Sequence, residues 1–165
     1  MSNNQTQYSK QQVEELQKEI KEVLRDERID NNAKAVLTRC VIELNNARQD
    51  NLDKTIAEVK YNLGVFYREQ GKPEQAKQYW LNIQEKHDVK RYAMAQLNLG
   101  VLYHKQGDIE QAKQYWLNIQ EKHDLKQYAM AQFNLGVLYD EQDDIEQAKQ
   151  HYQNIQEKHN LIQYA

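Results

Sequence analysis

Through the middle of the chain, apolar residues recur at helical spacing. Ala95, Leu99, Leu102 and Tyr103 share one stripe, which stops at Gln106-Gly107, where glycine can take the left-handed conformation that ends many helices. Asp108 then stands at an N-cap position. Ile109, Ala112, Trp116 and Ile119 form the stripe of a second helix, predicted to end around Lys122-His123. These are helix A and helix B of one unit, and the unit recurs on either side of itself. Leu-Gly falls at Leu63-Gly64, Leu99-Gly100 and Leu135-Gly136, and Glu-Lys-His at 85–87, 121–123 and 157–159, a period of 36. In the first copy Pro73 replaces Ile109, at a helix position whose amide has no helical partner anyway. Three units result, at about 57–92, 93–128 and 129–164, within a repeat region 53–165. A lone hairpin of this kind cannot bury its apolar face, so the period predicts an elongated stack.

Upstream of the repeats, residues 1–52 read as an N-terminal helical cap of two helices. Met1 to Gln7 are polar and without period, and a frayed end is expected there. From Ser9 to Arg25, Val13, Leu16, Ile20, Val23 and Leu24 follow helical spacing. A short coiled-coil seam would fit the same spacing, but packing on the first repeat is the preferred reading, because the end of a stack needs covering. Asp30 is placed to cap a second helix, whose apolar face is expected to bury Ala33, Val36, Leu37, Cys40, Val41, Leu44 and Ala47 before a polar loop at 46–51. These two helices fit either a dedicated cap or a degenerate repeat. At the other end, Leu161 to Ala165 repeats Leu125 to Ala129, the opening of another helix A. A natural short cap or a truncated fourth unit would both fit, and an end left uncapped is expected to offer a face to a second copy of the chain.

The string N-L-G-V-[FL]-Y followed by E-Q-A-K-Q-[YH]-[WY] closely resembles the tetratricopeptide repeat. The Leu-Gly pair, Tyr, Ala and bulky aromatic stand in that family's order and spacing over about Asp53 to Tyr164. That family's usual unit is about 34 residues, and in the central unit Gln96 and Asp124 stand where it has Trp and Pro. The longer period and the phrase A-Q-[LF]-N-L-G-V-L-Y are also similar to the Sel-like repeat, without its Gly-rich turn or Lys-Ala-Ala run. The resemblance implies an all-α fold, a right-handed α-solenoid of helix-turn-helix repeats with N-terminal capping helices. It also implies a concave groove lined by helix A positions. These match Glu58, Tyr61, Val65, Arg68 and Glu69 in the first unit; Met94, Leu97, Val101, His104 and Lys105 in the second; and Met130, Phe133, Val137, Asp140 and Glu141 in the third.

The differences between copies point to the same face. Helix B is unchanged between the first and second copies from Glu74 to Glu85, whereas Glu58, Val59, Lys60, Tyr61, Phe66, Arg68 and Glu69 of helix A all change. From the second to the third, Leu97 becomes Phe133, His104 becomes Asp140 and Lys105 becomes Glu141. A ladder of Tyr61, Leu97 and Phe133 flanked by Arg68, Lys105, Asp140 and Glu141 suits an apolar peptide or helix face bordered by mixed charge. Recent duplication with chance substitution is the bland alternative.

Composition and charge remove several function classes. Mean hydropathy is −1.03, which taken alone would suggest disorder, but the periodic Leu, Val, Tyr and Trp argue against it. The formal charge of −3, with both signs interspersed, leaves no basic field for a phosphate backbone, so nucleic acid is not an expected partner. Cys40 is the single cysteine, which excludes an intrachain disulfide and a cysteine-based zinc site and fits a buried, inert thiol. MSNNQTQYSK has no apolar core of the signal-peptide kind and no later stretch reaches membrane-span length, so a cytoplasmic protein without membrane contact is expected.

His87, His123 and His159 recur once per unit. Copies spaced at the helix-packing scale of about 10 Å are too far apart to share one ion. Each is instead expected in the last turn of a helix B, complementing its carbonyls. Asp140, Glu141, Asp143 and Asp144 lack the Gly and oxygen spacing of a calcium loop and read as a solvated turn. No phosphate loop, nucleophile elbow or zinc-protease motif occurs. The expectation is a non-enzymatic protein-interaction module, without cofactor or metal, that holds a peptide or partner helix in its groove. A small inhibitor or immunity protein that blocks a partner enzyme or toxin is one alternative. A structural repeat that self-assembles through its C-terminal face is another.

Overall fold

The computed structural model describes residues 10–163, with side chains from 10 to 155. In this span every regular element is an α-helix: α1 (Lys10–Leu24), α2 (Asn31–Asn46), α3 (Leu52–Glu69), α4 (Pro73–Leu81), α5 (Val89–Lys105), α6 (Ile109–Leu117), α7 (Leu125–Glu141) and α8 (Ile145–Gln163). The three repeats are the hairpins α3–α4, α5–α6 and α7–α8, the helix-turn-helix arrangement of an α-solenoid. The frayed end expected at Met1 to Gln7 lies outside the described residues. The chain divides into two compact units, one up to residue 91 and one from 92 onward, so the first hairpin is grouped with α1 and α2.

Each hairpin closes on a ring pressed against a glycine. A Cβ on Gly64 would fall inside the indole of Trp80, one on Gly100 inside that of Trp116, and one on Gly136 inside the ring of Tyr152. The missing side chain lets the helix B ring reach the backbone of helix A. There the Trp80 Nε1–H donates to the Tyr61 carbonyl at 3.2 Å and the Trp116 Nε1–H to that of Leu97 at 3.3 Å. A second ring pair stands beside the first, nearer the turn along helix A: Tyr67 stacks on Tyr79, Tyr103 on Tyr115 and Tyr139 on His151, with centroids 5.2 to 5.4 Å apart. Part-buried polar pairs also join the two helices of the second and third hairpins. Asn118 Nδ2 donates to Gln96 Oε1 at 3.1 Å, and Asn154 Nδ2 donates to Gln132 Oε1 at 2.9 Å. In the first hairpin Lys60 Nζ reaches the Asn82 carbonyl at 3.4 Å, and burial lowers the Lys60 pKa.

The turns within the hairpins share one geometry. Lys72, Asp108 and Asp144 donate their amides to the carbonyls of Tyr67, Tyr103 and Tyr139 at 2.9, 3.0 and 2.9 Å, closing the preceding helix over a left-handed residue. That residue is Gly71 (φ 69°) and Gly107 (φ 80°), but Asp143 (φ 59°) in the third copy. Asp108 caps α6 through Gln111 N, Asp144 caps α8 through Gln147 N, and Pro73 opens α4.

Helix B is shorter than its expected end near Lys122-His123: α4 stops at Leu81 and α6 at Leu117. Ile83 and Ile119 turn inward there and are buried, and Asp88 and Asp124 then cap the following A helices through Arg91 N (2.8 Å) and Gln127 N (3.0 Å). Burying the isoleucine and starting a new helix outweighs two further helical turns. In the third copy Ile155 is only half-buried, and α8 continues unbroken to Gln163. The chain at 161–163 therefore extends α8 rather than opening another helix A.

The N-terminal helices are joined to the first hairpin by polar as well as apolar contacts. Leu16 and Ile20 are buried, and Glu19 of α1 accepts hydrogen bonds from both hydroxyls of the stacked pair, Tyr67 (3.2 Å) and Tyr79. Burial raises the Glu19 pKa, and burial with the Glu19 charge pushes the Tyr67 hydroxyl up to about 12. Asp30 caps α2 through the amides of Asn32 and Ala33. Cys40 is buried, Asn62 Nδ2 lies 3.7 Å from its sulfur, and burial raises the thiol pKa.

Gly100→Ala, by pushing a Cβ into the Trp116 indole, is expected to destabilise the fold by roughly 1–3 kcal/mol. Asp143→Gly relieves a left-handed non-glycine residue and is expected to stabilise it by up to about 1 kcal/mol. Urea unfolding followed by circular dichroism measures both.

Candidate functional site

The expected groove positions are distributed over the two compact units. In the first unit, Tyr61, Val65, Arg68 and Glu69 come together on one wall of a cleft of about 570 Å³ between α3 and α2. Asn62 and Phe66 complete that wall, and Asp30, Asn32, Ala33 and Val36 form the opposite one. Glu58 faces elsewhere. It pairs with Arg91 Nη2 at 2.7 Å, and the Arg91 guanidinium lies 5.5 Å from the centroid of Tyr61, which fixes that ring from behind. Arg68 lies 5.9 Å from the centroid of the Trp80 ring and 3.7 Å from Glu69, so the cleft's charged rim is held by packing as well as by charge.

The α2 wall went unrecognised in the sequence reading, which assigned Val36 to the buried face. Leu37, Cys40 and Leu44 are the residues α2 buries, whereas Val36 is 45% exposed and Ile42 53%. The signal was present: eight apolar residues on one helix of 16 are more than a single stripe needs, and the surplus falls beside it.

In the second unit the positions separate by environment. Leu97, expected in the groove ladder, is only 6% exposed and packs in a cluster with Trp116, Ala131 and Leu135. Met94 and Val101 are half-buried and Lys105 is exposed. His104 Nε2 stands 3.4 Å from Glu141 Oε2 and its ring 5.8 Å from that of Trp116, so this pair links α5 to α7. Met130 and Phe133 are 45% and 55% exposed, Val137 is half-buried, and Asp140 and Glu141 are exposed. Phe133 sits 6.1 Å from Tyr152, its own hairpin's ring.

Two of the recurring histidines do not occupy a last helical turn. His87 and His123 lie in the turns after α4 and α6, where their amides donate to the Gln84 and Gln120 carbonyls. His123 is buried, and its Nδ1 accepts from the Gln120 amide at 3.1 Å. Burial lowers the His87 pKa below 6.5. Turns closed by backbone amides therefore stand where a last helical turn was expected. The His159 side chain lies outside the described residues. Among the described residues no three His, Cys, Asp or Glu side chains converge as a metal site would require, and no helix is long and apolar enough to cross a membrane.

The family model for the tetratricopeptide repeat matches residues 58–88, 94–124 and 130–159, together more than half of the chain. Neither the curated proteins nor the solved structures yield a match.

Two histidines give the fold a pH dependence of defined sign. Burial lowers the pKa of His87 and of His151, whose Nδ1 lies 2.7 Å from Gln132 Oε1. The unfolded chain binds protons more readily at both, so their contribution is complete above 6.5 and is lost as pH falls through that value toward the lower folded pKa. Glu19, with a raised pKa, acts in the opposite sense: its penalty appears as pH rises through the carboxylate range. The melting temperature is expected to fall between about pH 7.5 and about pH 5.5. The variant His87→Gln/His151→Tyr, measured by the same thermal scans, should show a smaller fall.

Proposed function

The chain belongs to the tetratricopeptide repeat family, whose repeats generally mediate protein–protein interaction, and we propose that it captures a partner protein on the outward faces of its A helices. The observation that carries this reading is the α2–α3 cleft, with its apolar centre and charged rim. Ala33, Val36, Val65, Phe66 and the ring of Tyr61 offer the buried area that drives association, and Asp30, Arg68 and Glu69 offer direction. A helix or extended peptide with two or three apolar residues suits it. A basic residue would turn toward Asp30 and Glu69, and an acidic one toward Arg68. Glu58 and Arg91 act from behind by holding Tyr61. Met94, Val101, His104 and Lys105 offer the corresponding face in the second unit, while Leu97 acts as core. The family is typically non-enzymatic, and recognition rather than catalysis is the activity proposed. A cytoplasmic setting belongs to the same proposal.

The test uses the full chain with a photo-crosslinking residue at position 36, inside the cleft, or at position 42, exposed on the same helix outside it. Extract of the native cell is expected to give a discrete crosslinked protein from position 36 and none from position 42. Val36→Asp and Arg68→Glu are each expected to weaken capture of that protein about tenfold with helicity unchanged. Equal capture from both positions, or capture indifferent to both substitutions, would remove the cleft from the account. If the captured protein is an enzyme silenced by binding, the module is an inhibitor.

A further inference from the structure

One face of α7 carries, at steps of three and four, Lys126, Met130, Phe133, Val137 and Asp140. Val137 is half-buried and the other four are exposed, which leaves an apolar centre flanked by a lysine at one end and an acid at the other. In α5 the same positions are Lys90, Met94, Leu97, Val101 and His104. There Leu97 is covered, because Ala131 and Leu135 of α7 pack in its cluster. This type of face is thus already closed once within the second unit by a helix A of nearly the same sequence.

The charged ends of the α7 stripe are symmetric about its ring. Seven residues, about 10 Å of helix, separate Phe133 from Lys126 on one side and from Asp140 on the other. A half-turn about an axis through Phe133 therefore sets Lys126 against the partner's Asp140 and brings Met130 to within one position of the partner's Val137. The α5 stripe lacks this property, since His104 and Lys105 stand where α7 has Asp140 and Glu141. Five residues differ between α5 and α7: Val89/Leu125, Arg91/Gln127, Leu97/Phe133, His104/Asp140 and Lys105/Glu141. Three of the five fall on or beside this stripe. Leu97/Phe133 enlarges its apolar centre, and His104/Asp140 places an acid where an antiparallel copy would bring a lysine. Glu141 is engaged on the α5 side by His104, so Asp140 is the acid that meets the lysine.

We propose that α7 is a homodimerisation helix, which pairs antiparallel with the α7 of a second copy across a two-fold axis at Phe133. The pairing is isologous and closed, so it stops at two copies. It uses a face of the second unit and is independent of the cleft in the first. An interface built on one helix face is small, below about 1,200 Å², so the dimer is weak and its charged ends make it sensitive to salt.

Sedimentation equilibrium of the full chain from about 1 μM to about 500 μM, at low and high salt, tests this. The expected result is a monomer–dimer equilibrium that weakens with salt. Phe133→Asp, at an exposed position, should leave a monomer throughout with an unchanged circular dichroism spectrum. Lys126→Asp should weaken the dimer about tenfold, and Lys126→Asp/Asp140→Lys should restore it by exchanging the two charges. Val36→Asp should leave it unaltered, which separates this outcome from that of the cleft. A wild-type monomer at every concentration, a dimer indifferent to Phe133→Asp, or a charge exchange that fails to restore would each overturn the proposal.

Discussion

The close approach of an aromatic ring to a glycine is the constraint on which the rest of this fold depends. Gly64, Gly100 and Gly136 expose the backbone of each helix A, and Trp80, Trp116 and Tyr152 occupy the space left open. The contact is directional as well as tight. In the first two hairpins the indole N–H donates to the carbonyl three residues before the glycine, so the rotation of helix A about its own axis is set with the pairing. Which residues face out follows from that rotation. Tyr61 and Leu97 supply those carbonyls, and their side chains are consequently held in one orientation. The third hairpin keeps the ring but not the indole N–H, and His151 replaces the stacking tyrosine there. Its two helices are held by shape and by the Gln132, His151 and Asn154 bonds.

Much of this was legible in the residues. The Leu-Gly and Tyr spacing marked the hairpins, and Pro73, Asp108 and Gly107 marked their turns, because caps and left-handed residues act locally. The end of helix B was not legible. Lys122 and His123 are compatible with a helix, and burial of Ile119 and of the His123 ring, both tertiary effects, joins the Asp124 cap of the next helix in stopping it at Leu117. Leu97 and Phe133 make the same point for the site. They hold equivalent positions in nearly identical sequence, yet one is core and the other surface, because a neighbouring helix covers the first. A pattern read along one helix cannot record its neighbour. The α2 wall of the cleft escaped for a related reason: Val36 looked like core when hydrophobicity alone was weighed.

The comparison of copies separates two kinds of position. Those that contact the ring and turn are repeated with little change: Gly64 and Gly100, Ala76 and Ala112, Tyr67 and Tyr103. Substitutions also reach the outward part of helix A, where Tyr61, Arg68 and Glu69 meet α2 in the first unit and Phe133 and Asp140 stand exposed in the second. Packing restrains the first kind, because a change there costs stability in its own hairpin. The second kind is free to differ from copy to copy, and one scaffold thereby presents distinct surfaces.

The sameness of the B helices carries a consequence for how the chain acquires its structure. α4 and α6 share EQAKQYWL in full, so α3 meets two ring-bearing helices that its glycine could accept equally well. Affinity cannot choose between them; the connection does. Residues 70–72 bring α4 back against α3 before α6 can diffuse there, since closing a short loop is entropically cheaper and faster than closing a long one. Correct pairing is thus encoded by chain length between partners rather than by the chemistry of their contact. The three-residue turn around Gly71 acts as the address label of its hairpin.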